Sequence, residues 1–174
     1  MKEFKINKND SGQRVDKFIL KTVPKLPKSL LYKYIRLKRI KVNKKRCEIS
    51  QVLAENDMVE MYINDEFFEI KKNTEFLTIN SSLNIIYEDE NILIVNKPAG
   101  TDVHRGSQNN KETLIDIIKS YLYQKSEYNP DEENSFSPAI CNRLDRNTTG
   151  LVIAAKNAQS LREINERIRS REIV

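Results

Sequence analysis

The residues from Asn142 to Gly150 hold one carboxylate, two guanidiniums, two hydroxyls and a glycine. The acid is Asp145. Arg143 and Arg146 flank it, and opposite charge favours the ionised form of a carboxylate. An apolar run, 151–155, follows at once and is short enough to be a buried strand. The polar cluster is therefore expected where a loop enters a core. A reactive group needs such a place, held by a rigid element yet open to a cleft. Local chemistry alone favours a plainer alternative, a structural salt bridge or an Asp that closes a turn.

The elements that must position this cluster are legible around it. Residues 83–97 form two β-runs across an acidic turn, and Pro98 and Gly100 in "KPAG" force a bend after the second. Thr113 can cap a helix over 114–124, with Leu114, Ile117, Ile118, Tyr121 and Leu122 inward. Residues 126–137 are polar and acidic and read as a mobile surface loop. Leu161, Ile164 and Ile168 stand at helical spacing in a closing helix over 157–171, with Arg162, Arg167, Arg169 and Arg171 outside.

The N-terminal part has a different character. Val15, Phe18, Ile19 and Val23 give one helix an apolar side. "PKLPKS" breaks it, and Ser29 can cap a second helix with Leu30, Leu31, Tyr34 and Ile35 inward. A short strand and turn at 40–46 follow, then an acidic turn near Glu55 and a strand over 59–63. Tyr32 and Tyr34 read as packing residues. Residues 64–82 lack a sustained period and read as a connector pinned by Phe67, Phe68 and Phe76.

Charge divides the chain in the same way. Residues 1–50 carry sixteen Lys and Arg against four Asp and Glu, and residues 51–90 carry two against ten. A localised cationic surplus suggests a polyanionic partner, although a solvated lysine-rich face accounts for it equally well. Composition sets further bounds. The 174 residues are 39% apolar and 32% charged, which suits a globular chain of one or two small domains. No apolar run is long enough to span a membrane, and the N-terminus lacks the apolar core of a signal peptide, so a cytoplasmic protein is expected. Cys47 and Cys141 read as free thiols, and a single histidine, His104, cannot build a zinc site.

The stretch "NRLDRNTTGLVIAAK" resembles the signature of the RluA family of RNA pseudouridine synthases, written HRLD-x-x-T-S-G before an apolar strand and a Lys. Asn142 stands where His is usual and Thr149 where Ser is usual. Arg143, Leu144, Asp145, Thr148 and Gly150 match. "YEDENILIVNKPAGTDVH", 87–104, resembles the strand–turn–strand that opens the family's catalytic domain. Residues 13–63 resemble an S4 RNA-binding domain, with "R-x-D-K-F" opening its first helix.

The resemblance implies an α+β fold: a small S4-like helix-pair and β domain over 1–63, a linker over 64–82, and over 83–174 the first part of a mixed β-sheet synthase domain. It implies isomerisation of uridine to pseudouridine in structured RNA, expected to be ribosomal, with Asp145 as the catalytic carboxylate. Arg143 would fill the space left by the turned-out base. Asn142, Arg146, Thr148, Thr149, Lys97 and His104 would contact substrate or shape its loop. Lys33, Arg36, Arg39, Lys41 and Lys44 would meet RNA phosphates, which gives affinity without reading sequence. No cofactor or metal is implied, no membrane contact, and a monomer is expected. The family's domain normally continues past the closing helix into a K-x-Y-x-A strand, so a shortened chain with little activity is expected. The competing reading is an RNA- or ribosome-binding module with a silent catalytic remnant. A hydrolase built on Asp145 ranks last because no second acid stands at suitable spacing.

Overall fold

The computed structural model describes residues 1–69, 74–80, 82–105 and 112–173. Among these, two compact units separate. The first comprises residues 1–72 together with 131–136, and the second comprises residues 73–130 and 137–174.

In the first unit, β1 (Lys2–Lys5), β2 (Ile40–Val42), β3 (Lys45–Arg46) and β4 (Met58–Met61) form an antiparallel sheet in the order β1-β4-β2-β3. Helices α1 (Val15–Thr22) and α2 (Lys28–Arg36) complete it. Val15, Phe18, Ile19, Leu31 and Ile35 meet Ile40, Val42, Val59 and Met61 in one core. This burial of regularly spaced apolar side chains is what holds the two short helices. Two details differ from the sequence reading. Ser29 lies inside α2, whose N-cap is Pro27, so the hydroxyl does not cap it. β1 gives no sign of itself in the sequence, because three of its four residues are charged and its pairing with β4 is remote along the chain.

The segment 131–136 is fastened to this unit. The Ser135 hydroxyl and the Asn134 amide donate to the buried Asp10 carboxylate at 2.5 and 2.7 Å, and Asn9 donates to Glu133 at 2.7 Å. The expected mobile loop is thus pinned at its centre by polar contacts that hydropathy does not report.

In the second unit, β5 (Ile85–Glu88), β6 (Ile92–Lys97), β7 (Ala139–Ile140) and β8 (Gly150–Ala155) form an antiparallel sheet in the order β5-β6-β8-β7. Asp89 Oδ1 closes the β5–β6 turn by accepting from the Asn91 and Ile92 amides at 2.7 and 2.8 Å. Helix α3 (Leu114–Gln124) packs Leu114, Ile118 and Leu122 against Leu93, Val95, Val152 and Ala154. Helix α4 (Ala158–Arg169) is capped by Asn157, whose side chain accepts from the Ser160 amide. The run 151–155 is a strand, as expected, but only one face is buried throughout, the other being buried at Ala155 alone. Val152 and Ala154 are inside while Leu151 is 54% exposed.

The connector contributes two 3-10 turns, Asp65–Phe68 and Glu75–Thr78, with Phe76 buried. Its residues 70–73 and 81 lie outside the described residues. Among the described residues no helix is long and apolar enough to cross a membrane.

Candidate functional site

The register of the second sheet decides where the Asp145 loop emerges. β6 and β8 pair from Ile92–Ala155 through to Lys97–Gly150. The turn after Lys97 and the loop before Gly150 therefore leave the sheet at the same end, side by side.

Three fastenings hold that loop. At its entry, the Cys141 amide donates to the Ile153 carbonyl at 2.8 Å. The Asn142 side chain then acts as a strand backbone would: its amide donates to the Leu151 carbonyl at 3.0 Å, and its oxygen accepts from the Ile153 amide at 2.8 Å. At its exit, Gly150 adopts φ +151°, and a Cβ there would lie 3.2 Å from Leu144 Cδ1. Glycine is needed for both the dihedral and the close approach. In the middle, Leu144 packs against the core. The exposed–inward–exposed pattern over 143–145 leaves Arg143 and Asp145 facing solvent.

Lys97 adds a fourth fastening. Its side chain is fully buried, and its ammonium donates to the carbonyls of Pro98, Thr101 and Arg146 at 3.0, 3.0 and 2.9 Å. Three donors meet three acceptors, so this cation welds the 98–101 turn to the Asp145 loop. Gly100 and Arg146 add a reciprocal pair. The Gly100 amide donates to the Arg146 carbonyl at 2.9 Å, and Arg146 Nε donates to the Gly100 carbonyl at 3.2 Å. Gly100 has φ +86°, which allows this turn.

The sequence sets Asp145 between two arginines that could pair with it. Among the described residues its carboxylate has no hydrogen bond or ion pair, and neither has the Arg143 guanidinium. Arg146 is turned to Gly100 instead. The Thr148 amide donates to the Asp145 carbonyl at 3.1 Å and closes a turn; Thr148 and Thr149 are exposed. A cavity of about 330 Å³ is lined by Ser82, Asn84, Asn96, Lys97, Pro98 and Thr149, and Asp145 is not part of its wall.

His104 belongs to the same neighbourhood. It is exposed, yet partial burial, together with the nearby cations of Arg143 and Lys119, pushes its imidazole below the usual histidine range, with Asp116 opposing. Cys141 stands at the loop's entry, but burial pushes its thiol up to about 11, which leaves it protonated and unreactive.

One cluster has no counterpart in the sequence reading. Lys156, the last residue of the signature, points away from the loop. Its nearly buried ammonium pairs with Glu88 at 3.0 Å and with Glu127, and donates to the Asp89 carbonyl at 2.7 Å. Tyr121 and Lys125 also donate to Glu88, each at 2.7 Å. Burial would raise the Glu88 carboxyl, but hydrogen bonds from Lys125, Tyr121 and Lys156 outweigh it and hold it at about 2. The one available signal is the surplus of acids near residue 88, which cannot name their partners.

In the first unit, Lys33, Arg36, Arg39 and Lys44 are exposed and Lys41 half-exposed. Lys38, Asn43 and Lys44 have positive φ, so tight turns carry these cations outward. Arg39 lies over the Tyr34 ring at 5.6 Å and Lys41 over the Tyr62 ring at 5.2 Å. Tyr34 is buried, as its packing role requires. Lys33, Arg36 and Lys44 have no ion pair among the described residues. Among the same residues no cluster of His, Cys, Asp and Glu could hold a metal ion.

Residues 91–174 match the profile of a family described as RNA pseudouridylate synthase. The chain is 45% identical over 158 residues to an uncharacterized RNA pseudouridine synthase of Mycoplasma capricolum subsp. capricolum, covering 90% of this chain and 51% of that protein. It is 34% identical over 174 residues to the ribosomal large subunit pseudouridine synthase C of Buchnera aphidicola subsp. Baizongia pistaciae, covering 97% and 51%. It thus spans about half the length of the curated relatives it matches. A solved structure, human RNA pseudouridylate synthase domain containing 4, is 26% identical over 51% of this chain and 30% of that one, with a TM-score of 0.39.

Proposed function

We infer that the chain, whose residues 91–174 match the RNA pseudouridylate synthase family, isomerises uridine to pseudouridine in RNA, with Asp145 as the catalytic carboxylate. One observation carries this reading: the Asp145 carboxylate is exposed and unpaired among the described residues, on a loop fastened at entry, middle and exit. A structural acid spends its oxygens on partners. A reactive one is kept open on a rigid support.

The reaction breaks the uracil N1–sugar C1′ bond, turns the base and joins C5 to C1′. N1 gains a proton and C5 loses one, so no oxidant or reductant is consumed. Asp145 acts by attack on the detached sugar or by removing the C2′ proton. A stacked uridine must first be turned out of its helix. In this reading Arg143, unpaired two residues before Asp145, stacks in the vacated space. Asn142, Lys97, Gly100 and Gly150 position the loop rather than touch substrate, since their polar groups or dihedrals are committed to the fold.

The first unit supplies docking in this account, as an S4-like module. Lys33, Arg36, Arg39, Lys41 and Lys44 meet phosphates there, and ribosomal RNA is the substrate class. The support is that these cations are exposed or half-exposed and turned outward.

Tritium release tests the reading. RNA carrying tritium at uridine C5 loses it when C5 bonds to the sugar. Incubation of the chain with a ribosomal RNA transcript is expected to release label in proportion to pseudouridine formed. A second reading, an RNA-binding module without turnover, is favoured by the cavity whose lining omits Asp145. RNA binding with no released label would select it.

A further inference from the structure

Helix α3 carries a cation beyond the groups assigned to the proposed reaction. Lys119 is half-buried, and among the described residues its ammonium has no hydrogen bond or ion pair. Ammonium groups in such places normally find an acceptor, because desolvating an unpaired charge is costly. Its neighbours do not supply one. Asp116, one turn earlier, is taken by the Thr113 hydroxyl at 2.8 Å and by Arg105 at 3.3 Å. Arg105 is also held by Glu75 at 2.6 Å.

The segment 98–105 brings this helix to the Asp145 loop. At one end Lys97 and Gly100 bind it to Arg146. At the other, the Leu114 and Ile115 amides donate to the Asp102 and Val103 carbonyls at 2.8 and 3.2 Å. His104 sits between these attachments and feels the charges of both Arg143 and Lys119. Arg143 and Lys119, from two further elements, thus both lie within electrostatic reach of His104, and the acid that faces His104 and Lys119, Asp116, is already held by Thr113 and Arg105.

We propose that Lys119 contacts substrate and, with Arg143 and His104, seats one backbone phosphodiester of RNA beside the Asp145 loop. This deepens the synthase reading and rests on it. A phosphate oxygen satisfies the ammonium, and the nearby anion favours a protonated His104, which adds a donor. Anchoring a phosphate next to the turned-out nucleotide would fix its sugar relative to Asp145.

His104 is the single histidine of the chain, so its ring protons are an unambiguous NMR probe. Adding a short oligouridylate to the full chain should raise the His104 titration midpoint, and Lys119→Gln should raise it even without RNA by removing a repelling cation. Lys119→Gln should weaken oligouridylate binding roughly tenfold, as expected for removing one charged hydrogen bond. It should reduce the salt slope by about 0.7. Lys119→Arg should restore both, and Lys125→Gln, which removes a lysine already paired with Glu88 and Glu127, should change neither. An unmoved His104 resonance, which needs no variant, would overturn the seat. So would wild-type affinity and slope in Lys119→Gln, or an equal His104 shift with uridine monophosphate at matched phosphate concentration. Tritium release by the wild-type chain tests the synthase reading separately: no release, with the Lys119 effects intact, would sink that reading and leave the seat standing.

Discussion

Replacing Lys97 by Met tests whether a buried lysine holds the reactive loop. Met matches the length of the stem and removes only the ammonium. Three hydrogen bonds of 3.0, 3.0 and 2.9 Å disappear with it. Each bond to a charged group contributes about 1.5–3 kcal/mol. These contributions do not simply add. Pro98 and Arg146 are exposed, so water can reach their carbonyls, and the Arg146 carbonyl keeps the Gly100 amide. Met also relieves the desolvation of the buried charge. The net cost should be about 2–4 kcal/mol, enough to loosen a domain whose total stability is about 5–15 kcal/mol. Amide hydrogen exchange is the sharpest assay, because it reads the weld itself. The Gly100 amide, bonded to Arg146, should lose protection by at least about tenfold, while the amides of Val42 and Val59 in the first unit stay unchanged. Unchanged Gly100 protection, with denaturant stability within about 0.5 kcal/mol of wild type, would refute the reasoning.

Acid should act through Glu88. Its folded carboxyl titrates at about 2 against an ordinary 4.5, so the stability it contributes is present above the ordinary value and is lost as pH falls toward 2. Glu88→Gln should lower stability at pH 7 and flatten the decline between those values; an unaltered acid profile by circular dichroism would contradict this. Gly150→Ala should cost about 1–3 kcal/mol, because alanine at φ +151° is strained and its methyl meets Leu144. A thermal midpoint equal to wild type would remove the glycine argument. Charge reversal at Arg36 and Arg39 should weaken RNA binding and lower the magnitude of the salt slope by about 0.9 for each duplex phosphate no longer neutralised. Unchanged binding would take the docking role from that face.

Much of the architecture can be read from residue order. Helices α3 and α4 follow from apolar spacing, and the β5–β6 hairpin from two apolar runs across Asp89. The Asp145 loop stands out because its residue types are unusual and its signature is specific. What escapes such reading depends on pairings between distant residues. Lys97 is expected at the cleft from its resemblance to a family lysine there; lysines are rarely fully buried, and its burial requires carbonyls supplied by residues 98, 101 and 146. Asn142 is expected near substrate, and its amide instead completes the ladder to β8. Lys156 is a signature residue whose role becomes visible only when Glu88 and Glu127 fold around it. β1 escapes because an edge strand rich in charge carries little periodic signal, and 131–136 because a polar segment gives no hint of Asp10.

In the proposed reaction a single exposed carboxylate, Asp145, performs the isomerisation. Asp145→Asn keeps the size and the loop and removes only the acid, so RNA affinity should stay within about twofold, less than the effect of one ordinary hydrogen bond. Tritium release from C5-labelled RNA should fall by at least about a hundredfold under single-turnover conditions, the low end for removing a positioned base. Release by Asp145→Asn at the wild-type rate, with equal RNA bound, would contradict the account.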